Sequence, residues 1–277
     1  MKKLFLFLTV LPVFCGAQTH SCCSTTSTEK FAMLSENEAF VSFHLNPLPL
    51  NFTAEKGKMI TFDCDDGKKG NAFEVKSDSA SDKWLIVVHE FWGLNDYIKR
   101  EAETLAGELP GLNVLAIDLY DGQVTDVREK AVEIMESVKE NRARSIIDGA
   151  IKYAGPNAKI GTIGWCFGGG WSLQASLMAG KQAVACVIYY GYPETDTSKL
   201  SQLNAGVLGI FATEDKWITP EVVKTFEENM KAAGKKIVVK NFAADHAFAN
   251  PSNPNYDKVA AGTAHSLAVG FLRSKLR

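Results

Sequence analysis

The chain lacks a strong charge, a basic run and any internal repeat. Its 277 residues carry a formal net charge of −2, so no extended field draws it to nucleic acid or to an acidic lipid surface. No period of roughly 20–50 residues recurs, which excludes solenoids and propellers. No CxxC pair and no Cys/His array of zinc spacing occurs, so the spacing names no metal. G-x-x-x-x-G-K-[ST] is absent and no glycine cluster fits G-x-G-x-x-G, which removes two common phosphate-binding loops. Beyond the N-terminus no apolar stretch is long enough to span a bilayer.

The N-terminus itself is distinctive. "MKKLFLFLTVLPVFCGAQ" has two lysines, an apolar run from Leu4 to Phe14, and small residues at Gly16 and Ala17. That is the layout of a signal peptide over residues 1–17, with cleavage near Ala17 and export to a periplasmic or extracellular space. Acylation at Cys15 is the weaker reading, because Phe14 is bulky where a lipoprotein site has a small residue. Of six cysteines, loss of Cys15 leaves Cys22, Cys23, Cys64, Cys166 and Cys186. An odd number in a disulfide-forming compartment leaves at least one thiol free or paired between chains.

Residues 18–55 are polar and aperiodic, and are expected to form a flexible arm. From residue 56 onward strand and helix patterns alternate. "MITFDC" and "NAFEVK" flank the turn-forming "DDGKKG" as a hairpin. "WLIVVH", "NVLAIDL", "KIGTIG", "AVACVIYYG", "AGVLGIFAT" and "KKIVVKNF" read as strands, with helices between them. The pattern predicts one long helical region over 123–154, a helix from about 168 to 179, one opening at Thr219-Pro220 and closing at Gly234, and a last one over 256–276. The expected class is α/β: about eight strands in a mostly parallel sheet with helices on both faces. Right-handed crossovers then collect the strand C-terminal ends along one rim.

On that rim "GWCFG" places Cys166 in a G-x-C-x-G junction between strand and helix. A nucleophile elbow needs small residues two positions either side, and it presents its side chain at a helix N-terminus, where a thiolate is favoured. An acid and then a histidine should follow after later strands. Asp215 and His246 stand in those places, with Glu214 and Asp245 as rival acids. Asp245 is too close in sequence to orient His246 from behind. Among the other histidines, His20 and His44 fall in the arm, His265 in the last helix, and His89 at a strand end as a weaker rival. "VVHEFWG" runs toward the same rim, so the backbone N–H groups of Phe91 and Phe167 are the candidate oxyanion donors. Glu90, among apolar neighbours, must be paired, protonated or turned to solvent.

With these residues in view, the chain from about residue 58 onward resembles the dienelactone hydrolase family of the α/β-hydrolase superfamily. "VVHEFWGLNDYIKREAETLA", "VLAIDLYDGQ", "IGWCFGG", "YYGYP", "TEDKWITP" and "ADHAFANP" carry the resemblance. It implies Cys166 as nucleophile, His246 as general base, Asp215 as its orienting partner, and Glu90 as a carboxylate that meets the resting thiol and helps activate it. The implied reaction is hydrolysis of a small ester, lactone or thioester through a thioester intermediate, with no metal and no organic cofactor. Gly122 and Asn250 stand where the family's carboxylate-binding arginines are expected, which argues against the dienelactone itself and for a less charged ester. Trp92, Tyr120, Trp217, Phe248 and Asn250 are the expected substrate contacts, with Arg100 or Arg128 as replacement cations. A monomer or small homo-oligomer is expected. Two rival readings remain: a ligand-binding protein on a hydrolase scaffold, and a thiol redox protein, the latter lacking a nearby resolving cysteine.

Overall fold

The computed structural model describes residues 26–277. The leader and Cys15, Cys22 and Cys23 lie outside the described residues. Eight strands follow one another as β1 (Lys58–Asp63), β2 (Lys69–Val75), β3 (Lys83–Val88), β4 (Asn113–Asp118), β5 (Lys159–Trp165), β6 (Ala183–Tyr189), β7 (Gly206–Ala212) and β8 (Ile237–Phe242). They form one sheet in the order β1-β2-β4-β3-β5-β6-β7-β8. The β1–β2 hairpin is antiparallel and attaches antiparallel to β4, while every pairing from β4 to β8 is parallel. Inner strands β3, β4 and β5 are buried along nearly their whole length, as strands covered on both faces must be. Edge strand β8 is only half-buried and carries Lys240 and Asn241.

Helices α1 (Ser27–Ala32) and α2 (Glu38–Phe43) precede the sheet. Then come α3 (Asp96–Glu108), α4 (Arg128–Ser137), α5 (Glu140–Ala154), α6 (Phe167–Ala179), the single turn α7 (Thr197–Leu200), α8 (Pro220–Ala232) and α9 (Lys258–Lys275). Most begin as their sequences dictate. Asn95 accepts from the Ile98 N–H ahead of α3, and Thr219 caps α8 with Pro220 in its first turn.

Two sequence expectations need correction. The region 123–154 is two helices rather than one: Val138 and Lys139 are extended and separate α4 from α5. No glycine or proline marks this break. Burial of Ile146, Ile147 and Ala150 and the bonds from Arg142 to Asp66 and Asp121 seat α5 separately. The described part of the arm is also not loose. Thr26 and Glu29 form a reciprocal capping box for α1, a 3-10 turn spans Met33–Glu36, and Asn37 caps α2. Phe31 and Phe40 are buried. The segment is fastened beyond its helices, because Arg128 N–H reaches Asn46, Leu48 N–H reaches the Ser252 carbonyl, and Tyr97 donates to the Leu48 carbonyl.

Candidate active site

β5 ends at Trp165 and α6 starts at Phe167, leaving Cys166 alone to make the bend. Its backbone is left-handed, φ 55°, a conformation that costs a side-chain-bearing residue about 1–3 kcal/mol. The flanking glycines make the bend sterically open. A Cβ at Gly164 would run into the Gly168 carbonyl, and one at Gly168 into the carbonyls of Val88 and His89. The sulfur is fully buried and receives the Phe167 N–H at the start of α6.

The turns after β7 and β8 bring Asp215 and His246 to the same end of the sheet. His246 Nε2 lies 3.3 Å from Cys166 Sγ, and His246 Nδ1 donates to Asp215 Oδ2 at 2.6 Å. Asp215 Oδ1 takes the N–H groups of Trp217 and Ile218 at 2.8 and 2.9 Å, which fixes the carboxylate. Glu214 is exposed, and Asp245 accepts the His246 backbone N–H rather than the imidazole N–H, which Asp215 takes. Thiol, imidazole and carboxylate therefore form one chain of hydrogen bonds.

Electrostatics follows from burial and these partners. Burial pushes the Cys166 thiol up, with Glu90 adding to the rise and His246 opposing it. Burial alone would push His246 down, but Asp215 and the sulfur outweigh it and hold the imidazole well above its ordinary value. Asp215 loses some of its preference for charge through burial, yet His246 and the two N–H groups keep it below the usual carboxylate range. Through their contact the imidazole and the sulfur each favour the charged form of the other.

Glu90 behaves differently from the resemblance-based expectation. It is buried, and its Oε2 accepts from Asn250 Nδ2 at 3.2 Å rather than bonding the thiol. Burial pushes its carboxyl up to about 8, so the group is mostly protonated near neutrality. Asn250 is locked in turn, its Oδ1 accepting from the Ser252 N–H and hydroxyl. Gly122, the other departure, has φ 90° with open space around it. Asp118 holds that turn through the N–H groups of Tyr120 and Gly122.

What approaches the sulfur in place of Glu90 is His44. Its Nε2 lies 3.6 Å from Cys166 Sγ, while its Nδ1 donates to the Phe40 carbonyl at 2.8 Å. Burial, with His246 adding to it, drives this imidazole down to about 3, so it is neutral. Phe40 packs edge-on against Trp217 and His246, Phe31 against Phe167, and the His44 ring lies 4.6 Å from Phe91. α1 and α2 thereby roof the sulfur. In sequence His44 falls in the arm, and the signals that bear on its placement are the helix starts, T-x-x-E at Thr26–Glu29 and Asn37 ahead of "AFVSF".

The other expected residues fall around this centre. Tyr120 packs between His89 and Phe167, and its hydroxyl has no hydrogen-bond partner among the described residues. Trp92 stacks edge-on with Phe91, and Phe248 lies against Tyr190. His89 ties strand ends together, accepting the Leu119 N–H and donating to the Glu90 carbonyl. A cavity of about 350 Å³ reaches Glu90 and Asn250, and Trp165, Tyr189, Tyr97 and Arg100 help line it. Arg128 instead faces the arm at the Ser42 carbonyl. Also lining the cavity, His265 pairs with Glu101 and Glu108, which raise it to about 9.

The dienelactone hydrolase family model matches residues 71–276. The chain belongs to the dienelactone hydrolase family. Protein usf of Aquifex pyrophilus is 27% identical over 239 residues, covering 79% of this chain and 99% of that protein. The carboxymethylenebutenolidase of Pseudomonas putida is 25% identical over 203 residues, covering 68% and 84%. Among solved structures, the dienelactone hydrolase-like promiscuous phosphotriesterase P91 from metagenomic libraries superimposes with a TM-score of 0.68 at 22% identity. That match covers 80% of this chain and all of that one, and it bears on the fold. Membership makes the chain a hydrolase of the ester and lactone class. No helix among the described residues is long and apolar enough to cross a membrane.

Proposed function

We propose that this protein is an exported cysteine hydrolase that opens a small, neutral ester, lactone or thioester through Cys166. The observation that carries the reading is the unbroken bonding from Cys166 Sγ to His246 to Asp215, at 3.3 and 2.6 Å. His246 Nε2 takes the thiol proton as the sulfur attacks the carbonyl carbon. The backbone N–H groups of Phe167 and Phe91 receive the developing oxyanion, each such donor being worth about 10²–10³ in rate. The intermediate collapses with cleavage of the bond from the acyl carbon to the leaving oxygen or, for a thioester, the leaving sulfur, and His246 returns its proton to that atom. A water then gives its proton to His246 and attacks the thioester, and the released sulfur recovers that proton. Asp215 keeps the imidazole in the required tautomer throughout.

Neutral substrates are favoured because nothing cationic occupies positions 122 and 250, and Asn250 is engaged with Glu90. Bidentate arginine recognition of a substrate carboxylate is thereby missing at these two places. The cavity beside Glu90, with its aromatic lining, suits an acyl or aryl group, and Trp92, Tyr120, Trp217 and Phe248 surround the centre. The leader over residues 1–17 supports export. Purified protein should release nitrophenol from a short-chain aryl ester, and Cys166→Ala and His246→Ala should fall to background. Equal rates in wild type and Cys166→Ala would overturn the assignment.

A further inference from the structure

Among the described residues, two imidazoles meet Cys166 Sγ, and one proton is shared between them. His246 gives its Nδ1–H to Asp215, and His44 gives its Nδ1–H to the Phe40 carbonyl. Each ring is left with an Nε2 lone pair aimed at the sulfur, at 3.3 and 3.6 Å. Whether the proton sits on sulfur or on His246, it fills only one of the two S···N gaps. The other nitrogen faces sulfur unpaired in a buried site, which costs free energy. Hydrolysis by a thiol–imidazole–carboxylate chain uses one imidazole, so His44 is surplus to it.

A cation in place of that proton satisfies all three atoms. Zinc bonds of about 2.3 Å to sulfur and 2.0–2.1 Å to nitrogen, at a tetrahedral angle, put S and N about 3.6 Å apart. The two separations observed are 3.3 and 3.6 Å, and the three donor atoms all lie within 4.8 Å of one another. The outer N–H of each ring is anchored, one on a carboxylate and one on a backbone carbonyl. These are the outer bonds that orient metal-ligating histidines. One thiolate with two imidazoles suits zinc and not a hard cation such as Mg²⁺ or Ca²⁺.

We propose that His44, Cys166 and His246 form a three-ligand site for Zn²⁺, and that occupancy of this site silences the nucleophile. Binding makes one S–Zn and two N–Zn bonds and releases the shared proton to solvent. The sulfur electron pair that would attack a carbonyl is then held by the metal, and no oxidant or reductant takes part. The donors are separated by 122 and 80 positions in sequence, so no ligand-spacing motif could announce them. The site stands on its three donors alone; only the silencing rests on the hydrolase reading.

The full chain, stripped of metal with a chelator and kept reduced, is titrated with Co²⁺ as a spectroscopic stand-in for Zn²⁺. The expected result is one equivalent of Co²⁺ giving a thiolate-to-cobalt absorption with the visible bands of a four-coordinate ion, displaced by Zn²⁺. Cys166→Ala should lose the thiolate band, which separates this site from Cys22, Cys23, Cys64 and Cys186. His44→Gln and His44→Phe should each weaken Co²⁺ binding about tenfold or more. Gln keeps a donor for the Phe40 carbonyl, and Phe keeps the ring packing, so loss of the roof cannot produce the same result in both. A thiolate band that persists in Cys166→Ala, unchanged affinity in both His44 variants, or no thiolate band at all overturns the proposal. Absorbance is read without turnover. Ester cleavage by metal-free protein that shows no cobalt band therefore leaves the hydrolase and removes the metal site. A cobalt band in protein that cleaves no ester does the reverse.

Discussion

Cys166, Glu90 and Asp215 show how much one side chain's surroundings decide. Cys166 was legible in sequence because G-x-C-x-G states a steric requirement, and the carbonyls behind Gly164 and Gly168 supply its cause. Asp215 was legible from its place after a strand. Its two backbone donors make it a fixed carboxylate, so Asp215→Asn should lower kcat by about 10²–10⁴ while leaving KM little changed. Steady-state kinetics on an aryl ester reads this split. Glu90's sequence neighbours left burial and exposure open, and its partner was not legible, because its bond to Asn250 depends on a turn 160 positions away. Its folded carboxyl titrates near 8 against an ordinary 4.5. A raised folded value means the stabilisation is present below about 4.5 and is lost as pH rises through 8. Thermal melting across that range should therefore show wild type losing stability relative to Glu90→Gln. Parallel curves would contradict this placement of Glu90.

At the scale of elements, strands and caps are more legible in sequence than boundaries without local markers. The β1–β2 hairpin, the elbow between β5 and α6, and the Thr219 cap each follow from a few adjacent residues. The break at Val138–Lys139 does not, since packing of α5 and the Arg142 pairs impose it. The helices of the arm are not legible in sequence because they are short and gain their stability from aromatic burial over the site, which periodicity in so brief a segment does not reveal. Phe40 anchors that roof against Trp217 and His246. Phe40→Ala removes a fully buried ring, a change commonly costing about 3–5 kcal/mol, and its effect should concentrate in α1 and α2. Alkylation of Cys166 by iodoacetamide should accelerate about tenfold or more as local opening becomes easier. An unchanged labelling rate would mean that α2 does not control access to the sulfur.

Across the whole molecule, parallel pairing from β4 to β8 makes the chemistry converge. Glu90, Cys166, Asp215 and His246 each follow a different strand, and the sheet delivers all four to one end. That gathering was readable from alternation of strands and helices, whereas the roof, the cavity beside Asn250 and the second imidazole required the fold. The missing cations at positions 122 and 250 set an expected preference. The ratio of kcat/KM for a neutral aryl acetate over a carboxylate-bearing lactone should exceed about tenfold, the loss expected when a paired charge goes unmet. Equal efficiency would show that another cation, such as Arg100 or His265 lining the cavity, takes the carboxylate.

The most direct measurement is capture of the acyl group. Metal-free full-length protein is mixed with an aryl acetate, quenched in acid within the first turnovers, and digested for mass spectrometry. An acetyl group on the peptide carrying Cys166, formed with a burst of phenol and absent from His246→Ala, is the predicted result. Steady hydrolysis with that cysteine unmodified at every time, and undiminished in Cys166→Ala, would contradict the account.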